Sequence, residues 1–168
     1  MGMKVDYKGA MEEARKQALR IEKALLNRLI RAGEKFVADA RLKANVDSSA
    51  FPSKGSGIYQ DQTGNLKNSI GYIIYKDGIA EKENFADFPG DGVAAARQAL
   101  SRVPKKAGYV LIGVAGMNYA SYLESLGYNV ITSQSIVLFK DLARALKKLE
   151  SKTDTEFALL EQGRRSSI

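Results

Sequence analysis

The stretch TGNLKNSIGYIIYKDG, residues 63–78, places a helical turn, a strand and a hairpin turn in succession. Thr63 belongs to the residue types that cap helices, and the spacing of Leu66 and Ile70 turns both toward the interior. The run IGYIIY has strand composition, and the Asp-Gly pair at 77–78 is typical of a two-residue hairpin loop. The stretch therefore predicts a short capped helix that leads into a β-hairpin.

Before this stretch, apolar residues recur at steps of three and four over residues 10–44, which predicts one long helix. The rows that begin at Leu25 and Leu26 face adjacent directions, so we expect part of the helix to contact another helix or another subunit. Residues 45–62 are rich in Ser and Gly and predict a long loop. The loop lacks the Lys-Ser/Thr pair that a phosphate-binding P-loop requires.

After the hairpin turn, a partner strand is expected to begin at Ile79 and to break quickly. Residues 81–107 are interpreted as an insertion with its own helix, from about Gly92 to Arg102 and capped by Asp91. The run GYVLIGVAG that follows the insertion is the clearest strand of the chain.

The C-terminal third predicts further helices. Asn118 is the expected N-cap and Gly127 the expected left-handed C-cap of a short helix, in which Tyr119, Tyr122, Leu123 and Leu126 form one helical stripe. The segment 128–131 predicts a short strand. An amphipathic helix follows with four inward leucines, and a capping box predicts that a last helix begins at Thr153. The inward leucines are Leu138, Leu142, Leu146 and Leu149.

The predicted elements give an α+β fold, with a long N-terminal helix and C-terminal helices packed on a small, mostly antiparallel sheet. The length of 168 residues suits a single domain, 1–168, with the inserted helical segment at 81–107. No apolar run is long enough for a membrane helix, so no membrane partner is expected.

Composition excludes several classes of chemistry. The chain contains no cysteine and no histidine, so it cannot hold a thiolate metal site or use an imidazole base. The net charge is +7, and residues 4–43 carry 11 basic and 6 acidic side chains, a net charge of +5. This concentration suits an acidic partner or a phosphate backbone, although it is also typical of a solvated helix face.

Glu124 is the lone acid of an apolar stretch, and burial would make it a candidate general acid or base. No second carboxylate lies near it in the sequence, and a catalytic site needs a convergent set of groups. We therefore expect no catalytic residue, no cofactor and no metal. Tyr119, Tyr122 and Tyr128 could stack nucleobases, but no basic residue lies between Lys106 and Lys140, which favours a core or a protein interface.

Two short motifs occur in order along the chain. The first is a Thr-Gly-x-Leu-x-x-Ser-Ile run, and the second is a Tyr-Ala-x-Tyr-aliphatic-Glu run. In this chain the motif positions are Thr63, Gly64, Leu66, Ser69 and Ile70, and then Tyr119, Ala120, Tyr122, Leu123 and Glu124, followed by Gly127. Motifs in this order resemble the minor tail-component or neck protein family of long-tailed double-stranded-DNA phages.

The resemblance implies a non-enzymatic structural protein of a phage or prophage head–tail junction or tail, which assembles as a homo-oligomeric ring. It implies neighbouring head or tail proteins as partners, non-specific contact with phage DNA, and residence in the virion after synthesis in the bacterial cytoplasm. Basic residues of the first helix are the candidates for partner or DNA contact, and a small basic DNA-binding protein is the alternative function. These residues are Arg20, Lys23, Arg28 and Arg31.

Overall fold

The structure is a computed structural model that describes residues 7–43, 64–85, 91–104, 106–127 and 130–165. Its elements confirm the α+β class, with long terminal helices and a small antiparallel sheet. They are α1 (Tyr7–Lys43), α2 (Asn65–Ser69), β1 (Ile70–Lys76), β2 (Ile79–Asn84), α3 (Asp91–Ser101), β3 (Tyr109–Ala115), α4 (Ala120–Ser125) and α5 (Thr132–Arg165).

The chain divides into two compact units. One runs from Leu29 to Asp141 and contains the sheet. The other consists of the described residues before Leu29 and after Asp141, which belong to α1 and α5. The single domain expected for residues 1–168, with its insertion at 81–107, stays a prediction.

The sheet has the order β2-β1-β3, and β1 is antiparallel to both neighbours. Asp77 and Gly78 form the β1–β2 turn with φ angles of 51° and 81°, the left-handed backbone of a type I′ turn. Asp77 also donates its N–H to the Gly108 carbonyl oxygen at 2.9 Å and accepts the Gly108 N–H at Oδ1 at 2.7 Å. The turn that the Asp-Gly pair predicted is confirmed, and it is tied to the start of β3.

Helix α1 packs on one face of the sheet, where two aromatic rings each lie against a glycine of the facing element. Tyr72 of β1 is fully buried, and a Cβ built on Gly33 would lie 2.7 Å from its ring. Phe36 is 3% exposed, and a Cβ on Gly113 of β3 would lie 2.6 Å from its ring. Since real Cβ contacts are wider, only glycine lets the helix approach the strands this closely.

Hydrogen bonds between polar groups also hold α1 against the sheet. The Tyr72 hydroxyl donates to Oε1 of Glu34 at 2.8 Å, and Nδ2 of Asn84 donates to Oε2 at 2.6 Å. Arg41 Nη2 donates to the Ile70 carbonyl oxygen at 2.8 Å. Burial is the main cause that raises the pKa of the Tyr72 hydroxyl, and the hydrogen bond to Glu34 raises it further. The hydroxyl therefore stays a proton donor at neutral pH. One carboxylate of α1 thus joins β1 to the last residue of β2.

Helix α3 covers the opposite face. Its Ala96 and Leu100 are buried, and Leu100 approaches Tyr75 and Val110 beside a small cavity. Tyr75 is three residues from Tyr72 on β1, and side chains an odd number of positions apart point to opposite faces of a strand. The helix predicted inside the segment 81–107 is therefore present, and it contributes to the core of the sheet unit.

Several predicted boundaries are wrong. β2 does not break soon after Ile79 but continues to Asn84, because Asn84 still pairs with Tyr72 of β1. Glu81 falls at a register irregularity of this ladder, where the alternation that signals a strand is interrupted. The strand predicted at 128–131 is absent from its described part, since residues 130–131 form a bend.

The helix boundaries near the C-terminus also differ from the expectation. Tyr119, not Asn118, occupies the N-cap of α4, without a side-chain capping bond. The predicted capping box does not begin a new helix, because α5 continues unbroken to Arg165. Thr153 Oγ1 instead donates to the Leu149 carbonyl oxygen at 3.0 Å, the bond a hydroxyl makes inside a continuous helix.

The contact between Phe36 and Gly113 predicts a non-additive pair of substitutions. Gly113→Ala should lower the free energy of unfolding by about 1–3 kcal/mol, because a methyl group meets the ring. Phe36→Ala should cost about 3–5 kcal/mol by leaving a cavity. The double variant should cost clearly less than the two single costs together, since the new methyl occupies vacated space. Urea unfolding of the four proteins measures this, and strictly additive costs would contradict the contact.

Candidate functional site

The two motifs, more than 50 positions apart in the sequence, meet in one buried cluster. Leu66 of α2 packs with Ala120 and Leu123 of α4 and with Val130 before α5, and all four are at most 7% exposed. Partly buried neighbours surround them. These are Ala115, Met117, Tyr119 and Ile131. The motif residues with inward side chains therefore build a core, as expected for folding elements.

Local backbone bonds place α2 against the end of β3. Gly64 occupies the N-cap position with φ 74°, and the Asn68 N–H donates to its carbonyl oxygen at 2.9 Å. Ser69 is buried, its hydroxyl donates to the Leu66 carbonyl oxygen at 2.8 Å, and its own carbonyl oxygen accepts the Gly116 N–H at 3.1 Å. The predicted cap at Thr63 lies outside the described residues.

Helix α4 turns only part of its predicted stripe inward. Tyr122 is 64% exposed and Leu126 is 50% exposed, so neither residue belongs to the core. Successive helical positions are rotated by about 100°, so when Leu123 faces the cluster Tyr122 points well away from it. Gly127 has φ 84° and donates its N–H to the Glu124 carbonyl oxygen at 3.0 Å, which confirms the left-handed C-cap.

Glu124 caps the N-terminus of α5. Its Oε1 accepts the N–H of Ile131 at 2.7 Å and of Thr132 at 2.9 Å. Burial acts to raise the pKa of this carboxyl, but hydrogen bonds, first those from the backbone N–H groups of Ile131 and Thr132, together outweigh it and hold the pKa below the usual value. The hypothesis of an acid with a raised pKa is therefore wrong, because the ionised form is favoured at neutral pH.

The surface beside this cap carries large apolar side chains. Phe139 is 76% exposed, Ile136 51% and Val137 41%, all on the first turns of α5 in the same unit as Tyr122 and Leu126. Sequence reasoning missed the exposed side of α5, although a signal was present. Ile136, Val137 and Phe139 fall outside the row formed by Leu138 and Leu142, so one helix face cannot bury them all.

The four basic candidates lie on α1 and differ in exposure. Arg20, Lys23 and Arg31 are exposed, whereas Arg28 is half-buried and donates from Nη1 to the Ala24 carbonyl oxygen at 3.2 Å. Arg31 belongs to the sheet unit, and the other three belong to the unit formed by the outer parts of α1 and α5. Each exposed cation is available to an acidic partner.

The small cavity of the sheet unit offers little space for a substrate. The cavity between the end of α3 and the sheet measures about 30 Å³, room for one or two water molecules, and is lined mainly by apolar groups such as Leu100, Val103 and Ile112. No group of three or more acidic side chains in the described ranges is placed to hold a metal ion. None of the helices described there is long and apolar enough to span a membrane.

Comparison of the chain with models of protein families gave no match, and comparisons with curated proteins and with solved structures gave none either. The resemblance carried by the two motifs therefore stays a prediction. Support for a function comes from the contacts, exposure and charge of the described side chains.

Two leucines at the end of α4 allow a buried position of the cluster to be compared with an exposed position beside it. Leu123→Ala should lower the free energy of unfolding by about 2–4 kcal/mol, because Leu123 is buried among apolar side chains. Leu126→Ala removes the same atoms from an exposed position on the same helix end and serves as the matched control. We expect it to change stability by less than about 0.5 kcal/mol. Equal losses in chemical denaturation would show that α4 does not seal the cluster.

The Glu124 cap predicts a pH-dependent stability difference. A carboxyl whose pKa is lower in the folded chain stabilises it above the unfolded pKa of about 4.3, and this contribution disappears as pH falls through the folded pKa. Glu124→Gln keeps an acceptor oxygen but loses the charge. It should lower the free energy of unfolding by at most about 1 kcal/mol near pH 7, because the side chain is partly exposed. The difference from wild type should vanish at acidic pH.

Unfolding curves of both proteins between pH 3 and pH 8 provide the measurement. Glu13→Gln, at an exposed residue of α1, is the control and should not reproduce the pattern. A Glu124→Gln cost that stays constant over the whole range would rule out a charged cap.

Proposed function

We propose that the chain is a non-enzymatic structural protein of a phage or prophage head–tail junction or tail, and that it assembles as a homo-oligomeric ring. The observation that carries the proposal is the exposed apolar surface around the α4–α5 junction. Five large apolar side chains between positions 122 and 139 are at least 41% exposed. Several large apolar side chains exposed within one short segment favour a surface that another protein covers.

The chemistry of the motifs supports the same proposal. Leu66 and Leu123 serve the buried cluster, and the Glu124 carboxylate serves the N-terminus of α5. These residues act in folding and leave the outward side of α4 and α5 for contact with neighbours. Aromatic side chains such as Tyr122 and Phe139 are the types that carry the most binding energy in protein interfaces. Neighbouring head or tail proteins and further copies of the chain are the proposed partners.

A small basic DNA-binding protein is the second candidate, favoured by the exposed cations of α1. Arg20, Lys23 and Arg31 present positive charge to solvent along one helix. In a ring, such cations would lie near acidic neighbours or passing DNA and would add little to DNA binding by a single copy. Non-specific binding of this kind is in the micromolar range or weaker and falls steeply as salt rises.

The proposal predicts that assembly depends on the exposed apolar surface. Phe139→Ser and Tyr122→Ser should each shift assembly to at least tenfold higher protein concentration, because each removes an aromatic group that a neighbour would bury. Leu42→Ser is the control, since Leu42 is 72% exposed on α1, away from α4 and α5 in the sequence. Sedimentation velocity over a concentration series, together with electron microscopy of the assembled species, measures the effect with and without neighbouring virion proteins.

Duplex DNA binding separates the two candidates. We expect the isolated wild-type chain to bind duplex DNA weakly and without sequence preference. A single copy that binds one DNA sequence with nanomolar affinity, and that forms no ring at any concentration or with any virion protein, would overturn the structural proposal in favour of a DNA-binding protein.

A further inference from the structure

The unit formed by the outer parts of α1 and α5 has an open apolar groove. Ile21 and Leu25 of α1 line one side, and Ala143, Leu146 and Leu149 of α5 line the other. The groove has a volume of about 690 Å³ and opens to solvent. It is separate from the exposed surface at the α4–α5 junction, which belongs to the other unit.

The described side chains of this unit share one property: none of them is buried. Leu25, Leu146 and Leu149 are only half-buried, whereas Leu29, one turn further along α1 and in the sheet unit, is 5% exposed. Leu142, Leu146, Leu149 and Thr153 are spaced by four, three and four residues, the repeat with which helices pack side by side. The groove is therefore a helix-packing seam that the unit's own described side chains leave open.

The charged residues that line the groove favour one kind of occupant over another. Its charged lining is Lys147, Glu150 and Asp154, which combine both signs on one stripe of α5. The basic residues Arg20 and Lys23 do not line it. An acidic helix from another protein would face two carboxylates there and gain little. A lining that carries both signs of charge instead suits the same surface of a second chain, with its α5 running in the opposite direction.

We propose that a second copy of the chain covers this groove through an antiparallel, two-fold contact between the α5 helices. With the two-fold axis between positions 148 and 149, Lys147 of each copy lies opposite Glu150 of the other. The ion pair then forms twice, beside the apolar contact between the leucines of the two seams. A two-fold contact of this kind joins identical surfaces and closes at two copies.

The inference does not depend on the proposed ring. A ring is built from contacts between two different surfaces of each copy, whereas the groove contact uses the same surface twice. The pairing would therefore join two single copies, or two rings, and the loss of either association leaves the other measurable.

A charge-exchange experiment on the full chain tests the pairing. Lys147→Glu places carboxylates opposite carboxylates in a homodimer, and Glu150→Lys places ammonium groups opposite each other. Each variant should dimerise about tenfold more weakly than wild type, because two exposed pairs change from attraction to repulsion.

An equimolar mixture of the two variants should form heterodimers with near wild-type affinity. In one pair of the heterodimer, the carboxylate introduced at position 147 faces the ammonium group introduced at position 150 of the other copy. In the other pair, the retained Glu150 faces the retained Lys147. Both pairs therefore join opposite charges again.

Native mass spectrometry and sedimentation equilibrium read out the homodimers and heterodimers. Lys148→Glu makes the same charge change on a neighbouring exposed residue that does not line the groove, and it should leave the affinity within about twofold of wild type. Leu146→Ser should weaken both homodimers and heterodimers, because it removes apolar lining from the seam.

Four results would overturn the proposal. The first is a wild-type chain that stays monomeric at hundreds of micromolar, or rings that never pair. The second is weakening of both single variants without restoration on mixing, which would assign the effect to contacts within one chain. The third is equal weakening by Lys148→Glu. Rings that persist in Lys147→Glu while the charge exchange has no effect would leave the proposed function in place and overturn only the groove contact.

Discussion

The close approach of α1 to the β1–β3 pair is the constraint on which the sheet unit depends. Tyr72 lies over Gly33, and Phe36 lies over Gly113, so each ring occupies a site where the facing element has no side chain. The reciprocal arrangement fixes both the position and the direction of the helix on the strands. Any larger residue at either glycine would move the helix away and leave buried apolar surface unpaired.

Polar groups make this contact specific. The Glu34 carboxylate accepts bonds from Tyr72 and Asn84, so α1 also holds the last residue of β2. A second carboxylate performs the same kind of task elsewhere in the unit, since Glu124 accepts two backbone N–H groups at the start of α5. In both cases a carboxyl group satisfies donors that the fold brings together and that would otherwise lose water on folding.

The division into two units gives the molecule two kinds of surface. The sheet unit buries its motif residues and exposes aromatic and aliphatic side chains at the α4–α5 junction, among them Phe139. The unit of outer helix segments buries none of its described side chains and leaves an open seam at Leu146 and Leu149. Association through either surface would complete packing that the described part of a single chain leaves unfinished.

The sequence by itself determined the elements whose signals are local. The periodicity of α1, the β-branched run of β3, the Asp-Gly turn and Gly127 predicted their structures correctly, because each depends on residues within one or two turns. Tertiary structure decided the rest. The pairing that extends β2 to Asn84 and the burial that separates Leu123 from Tyr122 depend on distant neighbours. So does the capping role of Glu124, because its partners lie beyond its own helix and no local pattern places them.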